Sequence, residues 1–155
     1  MPDQLSVLED KQAITDVIHR YGYALDGRNW ELLATCFTPD AIGYYGGDPL
    51  QGYAAIETLC RNTLEPMSVS QHLIGNVFVT VDGDEASAQC YLHAQHVLPD
   101  TPGGDQFIFA GRYTDKLVRS PDGWRISERT LEPMWTSGNI AVLGRPSNTL
   151  ELPEE

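Results

Sequence analysis

The feature that most constrains this 155-residue chain is the order of its periodicities. Up to about residue 63 the apolar residues recur at helical spacing. From Gln71 onward they alternate, in long segments joined by short turns. Helical sequence followed by a run of strands argues for an α+β fold. An alternating α/β fold would instead place a helix between successive parallel strands.

The first helix is expected from Ser6, because Ser6-Val7-Leu8-Glu9 has the form of a capping box. Ile14, Val17, Ile18, Tyr21 and Leu25 make one apolar stripe, and Asp26-Gly27 ends it. Asn29 caps a short second helix with Trp30, Leu33 and Phe37 inward, stopped by Thr38-Pro39-Asp40. Ala41 to Tyr45 reads as a strand, Gly46-Gly47-Asp48-Pro49 as a turn, and Tyr53 to Thr63 as a third helix. Four strands follow, at 71–81, 86–98, 107–119 and 124–131. Asp82-Gly83-Asp84 and Ser120-Pro121-Asp122-Gly123 turn two of the hairpins. The tail from Pro133 is weakly patterned, with a short element at Ile140 to Leu143 and fraying at Glu151 to Glu155. The chain reads as one domain over 1–155, with its core at about 6–132 and the tail 133–155 as a pocket lid or an oligomer contact. Helices packed on the concave face of a curved, mostly antiparallel sheet leave a pocket at its wide end.

Charge and cysteine content narrow the function. The net charge of −12 comes with no basic stripe, which speaks against nucleic acid and against polyanionic substrates. Cys36, Cys60 and Cys90 are odd in number and form no CxxC pair, which argues against a disulfide framework or a zinc knuckle. No basic leader segment opens the chain and no apolar run reaches about 20 residues, so the expected setting is the cytoplasm, without a membrane contact.

Four residues are candidates for chemistry: Asp26, Tyr45, His72 and His96. Along Ala86, Ala88, Cys90, Leu92, Ala94 and His96, every member before the histidine is small or apolar. The alternate set Ser87, Gln89, Tyr91, His93 and Gln95 is largely polar. His96 therefore belongs to the buried face, unless a bulge breaks the parity. His72 begins the preceding strand. With the turn centred near Gly83, it pairs with the region 94–96, so the two imidazoles share a face. Asn76 has the parity of His72. Asp26, on the flank of the helical stripe, is placed to orient an imidazole. That fixes the tautomer and raises the basicity of the free ring nitrogen. Tyr45 is placed to donate to a carbonyl or leaving group. Each has a plainer reading: Asp26-Gly27 as a turn, either histidine as a satisfied core residue, Tyr45 as a core aromatic. His72, His96 and Asp26 would also suit a facial metal triad, but their spacings match no metal motif, and no metal is expected.

Several segments in order resemble one family. Arg20 to Leu33, Cys36-Phe37-Thr38-Pro39-Asp40-Ala41, the His-x-x-x-Asn run His72 to Asn76, Gly111-Arg112-Tyr113-Thr114-Asp115 and Asp122-Gly123-Trp124-Arg125-Ile126 look like the successive segments of SnoaL-like, scytalone-dehydratase-like proteins. The resemblance spans about residues 8–131. It implies the cone-shaped α+β barrel of the nuclear transport factor 2-like fold. It also implies that Asp26 and His72 correspond to that family's dyad, His96 to a second pocket histidine and Tyr45 to a pocket tyrosine. Leu25 stands where the scytalone-dehydratase branch has a tyrosine. The Ser and Asn of that branch's third long strand have no counterpart near Phe109 to Tyr113.

Taken together, the expectation is a cofactor-independent acid–base lyase or isomerase, in which His72, oriented by Asp26, removes a carbon-bound proton from a small hydrophobic cyclic substrate. Tyr21, Trp30, Asn76, Leu92, Phe109 and Tyr113 are expected around that substrate. A non-catalytic ligand-binding or dioxygenase small-subunit-like module, and a polyketide cyclase or hydrolase, are the alternatives. A homodimer or higher homo-oligomer is expected through the outer sheet face, at Gln89, Tyr91, His93 and Gln95.

Overall fold

The first helix starts before its capping-box sequence. The computed structural model describes residues 3–144. In it Asp3 is the N-cap, accepting the Leu5 amide, and α1 spans Gln4–Asp26. Ser6 lies within the first turn and donates its hydroxyl to the Asp3 carbonyl. The stripe Ile14, Val17, Ile18, Tyr21 and Leu25 is buried as expected. Each of the aliphatic members contributes about 1.5–3 kcal/mol of transfer free energy.

Helix α2 (Trp30–Ala34) is capped by the Asn29 side chain, which accepts the Leu32 amide. It ends sooner than the sequence suggested. Phe37 belongs instead to strand β1 (Phe37–Tyr44), which also takes in Thr38-Pro39-Asp40. The proline is accommodated because β1 and β6 lose register between Phe37 and Ile42, so no ladder amide is required there. After β2 (Leu50–Gln51) and α3 (Tyr53–Leu64) come four long strands: β3 (Val69–Asp82), β4 (Glu85–Val97), β5 (Gln106–Ser120) and β6 (Gly123–Gly138). Strand β6 runs past Pro133 into the weakly patterned segment, and a 3-10 turn follows at Ile140–Leu143, where a short element was expected. The expected fraying at Glu151 to Glu155 lies outside the described residues.

The six strands of the described residues form one curved, open sheet in the order β2-β1-β6-β5-β4-β3. Among the described residues, only β1 and β6 pair in parallel. Helix α1 packs chiefly on β3. Gly22 makes that approach close: a Cβ there would stand 3.2 Å from Ile74 Cδ1 and 3.7 Å from His72 Cβ. Asp26 lies one helical turn further along the same face, so the bare glycine backbone lets its carboxylate come down onto β3.

Strand parity holds along β4, where Ala86, Ala88, Cys90, Leu92, Ala94 and His96 are all buried. It breaks in β3 and in β6. In β3 the register slips between Gly75 and Phe78, and Asn76 takes a left-handed φ of 52°. In β6 it slips opposite the Lys116–Leu117 step, which brings Arg129 inward. Each extra residue turns the following side chains to the other face.

Candidate active site

His72 stands in the cavity wall, held by the Asp26 carboxylate at two points. Its Nδ1 lies 2.6 Å from Asp26 Oδ1, and its backbone amide donates to Asp26 Oδ2 at 2.8 Å. Burial raises the Asp26 pKa, but the hydrogen bonds from the His72 side chain and amide and from Ser70 outweigh it, and the carboxyl stands below its usual range. An ionised carboxylate only accepts, so Nδ1 carries a proton and, in the neutral ring, Nε2 has the free lone pair. The His72 side chain is 6% exposed, while Asp26, at 25%, sits on the solvent side of the pair.

Across the β3–β4 ladder His72 faces Ala94, and Ser70 faces His96. The histidines are thus diagonal neighbours, with ring centroids 5.8 Å apart and planes at 83°. Burial first, then the charge of His72, push the His96 pKa down to about 4. His96 is therefore neutral at neutral pH. Its Nδ1 points at the Phe107 carbonyl, 3.4 Å away. A carbonyl only accepts, so this contact leaves His96 Nε2 as an acceptor.

Both imidazoles line a cavity of about 880 Å³, walled by Tyr21, Leu25, Tyr45, Leu92, Phe109, Tyr113 and Leu131 among others. Pro133, Leu143 and Gly144, from the segment after the expected core, also reach it. The strand order puts the histidines towards the β3 edge and Tyr45, at the end of β1, towards the other. There the Tyr21 hydroxyl contacts those of Tyr45 and Tyr113, each at 3.4 Å. Burial holds all three phenols well above their usual pKa, so each keeps its proton. Three hydroxyls share two contacts, so at least one O–H remains to donate elsewhere.

Beneath these rings lies a buried ion pair that the sequence reading did not pick out. Arg129 donates to both carboxylate oxygens of Asp115 at 2.7 Å, and both side chains are fully buried. The guanidinium carbon stands 4.2 Å from the Tyr21 ring centroid and 4.0 Å from that of Tyr113. Asp115 could have been found, since it shares the inward parity of Phe109 and Tyr113. The slip in β6 hid Arg129.

Two expected pocket residues lie elsewhere. Trp30 is covered by the Arg61 guanidinium, 5.0 Å from its ring, because the five-residue α2 turns it towards α3. Asn76 is exposed, because its bulge sits between the inward Ile74 and the inward Val79. Tyr21, Leu92, Phe109 and Tyr113 do line the cavity. Among the described residues, no three His, Cys, Asp or Glu side chains are grouped as metal ligands, and no helix is long and apolar enough to cross a membrane.

Comparison with known proteins bears on this arrangement. The family model for the SnoaL-like domain matches residues 6–130. Terrestric acid biosynthesis cluster protein E of Penicillium crustosum is 31% identical over 144 residues, covering 89% of this chain and 92% of its own. The uncharacterized protein Rv2910c of Mycobacterium tuberculosis is 38% identical over 132 residues, covering 81% and 87%. Among solved structures, a candidate aromatic ring hydroxylase from Novosphingobium aromaticivorans superposes with a TM-score of 0.77 at 30% identity, covering 88% of this chain and 97% of that one. A candidate scytalone dehydratase from the same organism gives 0.81 at 22%, covering 96% and 100%. The hexachlorocyclohexane dehydrochlorinase LinA type 2 gives 0.78 at 21%, covering 94% and 99%. The last two show the shared fold.

Proposed function

The chain belongs to the SnoaL-like domain family, and we propose that it is an acid–base lyase or isomerase for a small hydrophobic cyclic molecule. The observation that carries this is the 2.6 Å contact between Asp26 and His72 at the wall of an apolar cavity. His72 Nε2 removes a proton from a carbon next to a carbonyl, and Asp26 stabilises the imidazolium that results. A tyrosine O–H from the Tyr21, Tyr45 and Tyr113 cluster donates to the oxygen on which charge develops. With a β-hydroxyketone, the enolate then expels the hydroxyl, which leaves as water with the proton that His72 holds. Neutral His96 accepts a hydrogen bond from the substrate and helps to place it. This chemistry needs no metal or organic cofactor. The family's fold is shared by proteins named as a scytalone dehydratase and a dehydrochlorinase, both of them elimination enzymes by name.

A second reading, a small-subunit-like module of a ring-hydroxylating enzyme, is favoured by the likeness to the candidate aromatic ring hydroxylase. Such a module has no use for an oriented imidazole in an apolar cavity. The test is a screen of wild type, H72A and D26N against cyclic β-hydroxyketones, halogenated rings and β,γ-enones, followed by absorbance. Turnover lost in both variants, with folding intact by circular dichroism, supports the enzyme. Turnover that survives both overturns the dyad.

The homo-oligomer also stands as a proposal. The outward sheet face exposes Leu73, Phe78, Tyr91, Met134 and Trp135, at 46–72%. On a chain of net charge −12, these side chains offer a second copy an approach through uncharged surface. Sedimentation of wild type beside F78E/W135E tests it: an oligomer that the double variant splits supports the contact, and a monomeric wild type contradicts it.

A further inference from the structure

The dyad does not end at Asp26. Ser70 on β3 is 6% exposed, and its Oγ lies 3.1 Å from Asp26 Oδ1 and 2.7 Å from Arg28 Nη1. A guanidinium has no acceptor atom, so Arg28 must donate to the serine oxygen. The single hydroxyl proton of Ser70 is then left for the carboxylate. The same Nη1 also donates to the Leu25 carbonyl at 2.7 Å and to the Asp26 carbonyl at 3.3 Å. Arg28 is thus folded back over the end of α1, and its backbone takes a left-handed φ of 52°, a conformation that favours glycine. A non-glycine residue held there, with its side chain spent on three local contacts, marks a built arrangement.

We propose that Arg28 and Ser70 are positioning residues for the Asp26–His72 pair. They aim the Ser70 proton at Asp26 Oδ1, the oxygen that also receives His72 Nδ1–H. Two donors then share that one oxygen. This fixes the carboxylate's rotation and restrains its basicity, so that it holds the His72 proton without taking it. Neither residue lines the cavity. The inference rests on the reading of the dyad as the acid–base pair, although its own geometry is independent of the substrate.

Several charged or titratable groups meet at this point. Asp26 and Arg28 come from α1 and the turn after it, and His96 comes from β4. Glu65, after α3, acts on Arg28 through its charge. Removing the Ser70 hydroxyl leaves Oδ1 to His72 alone, so the Nδ1–H hydrogen bond tightens. Removing Arg28 takes away a cation that opposes a proton on His96, and frees Ser70 to turn away.

The test uses S70A and R28G, with R28K as the conservative change. Gly suits the backbone at 28, so R28G keeps the fold, which thermal melting checks. The first readout needs no substrate: nuclear magnetic resonance of the His72 ring across pH, together with the low-field Nδ1–H proton. The expected result for S70A and R28G is an Nδ1–H proton further downfield, with R28K closer to wild type. The second readout is kinetic, on whichever substrate class is turned over. There kcat falls roughly 10-fold or more with KM nearly unchanged, in keeping with the loss of a hydrogen bond to a charged group. Ring signals identical to wild type in both folded variants overturn the proposal, whether or not any substrate is turned over. Displaced signals with no turnover from wild type leave the positioning role standing and count against the proposed enzyme.

Discussion

The Asp26 carboxylate grips His72 at two points, through Nδ1 at 2.6 Å and through the backbone amide at 2.8 Å. The two-point hold sets both where the imidazole sits and which nitrogen is free. Asn in place of Asp26 keeps the shape but loses the charge that supports an imidazolium. D26N should lower kcat by about 10²–10⁴-fold, with little change in KM, because its partner is an acid–base group. Steady-state kinetics measure this directly.

Acid should weaken the fold through His96. Its pKa falls to about 4 in the folded chain, because of burial and then the charge of His72, against about 6.5 for an unfolded histidine. Between those values the unfolded chain binds a proton that the folded site refuses. The stabilisation is therefore present above the unfolded value and is lost as pH falls through the folded one. From pH 7 to pH 5 this amounts to about 2 kcal/mol. Urea unfolding of wild type and H96F at both pH values should show the wild type losing about that much more than the variant.

Gly22 is the hinge of the α1–β3 contact. A Cβ there stands 3.2 Å from Ile74 Cδ1, closer than ordinary van der Waals contact, and 3.5 Å from the His72 carbonyl oxygen, so the branched side chain of Val crowds β3. G22V should cost about 1–3 kcal/mol of stability by overpacking. It should also lower kcat in a way that restoring stability with osmolyte does not recover, because Asp26 moves with the helix.

The Asp115–Arg129 pair is a structural support under the tyrosines. Its Arg129 Nη1 has no hydrogen-bond partner among the described residues, and the flanking Tyr21 and Tyr113 rings take up the charge instead. D115A should destabilise by about 3–5 kcal/mol, since it strands a buried cation. The double change D115L/R129M should recover much of that loss, as thermal or chemical unfolding would report.

The sequence made the β4 face legible because nothing interrupts its alternation from Ala86 to His96. It also placed His72 beside His96, because the β3–β4 turn at Gly83 is short, whereas the pairing of Asp26 with His72 came from the family resemblance. Parity failed at Asn76 and Arg129, where a single extra residue in a strand leaves no mark that alternation can read. The proline in β1 hid a strand because its ladder partner, β6, lies some 90 residues away in the chain. Arg28 and Ser70 were invisible for another reason: an arginine after Asp-Gly reads as a surface residue until its left-handed backbone is seen. Trp30 was expected in the wall because an inward tryptophan on a short helix carries no sign of which neighbour it meets.

The central claim is that His72 takes a proton from carbon. The direct measurement is the incorporation of deuterium from heavy water at the carbon next to the carbonyl of cyclic ketones, followed by nuclear magnetic resonance, for wild type, H72A and D26N. The account predicts exchange with wild type that falls to the buffer rate with H72A and drops sharply with D26N. Exchange by H72A at the wild-type rate, with the fold intact, would contradict it.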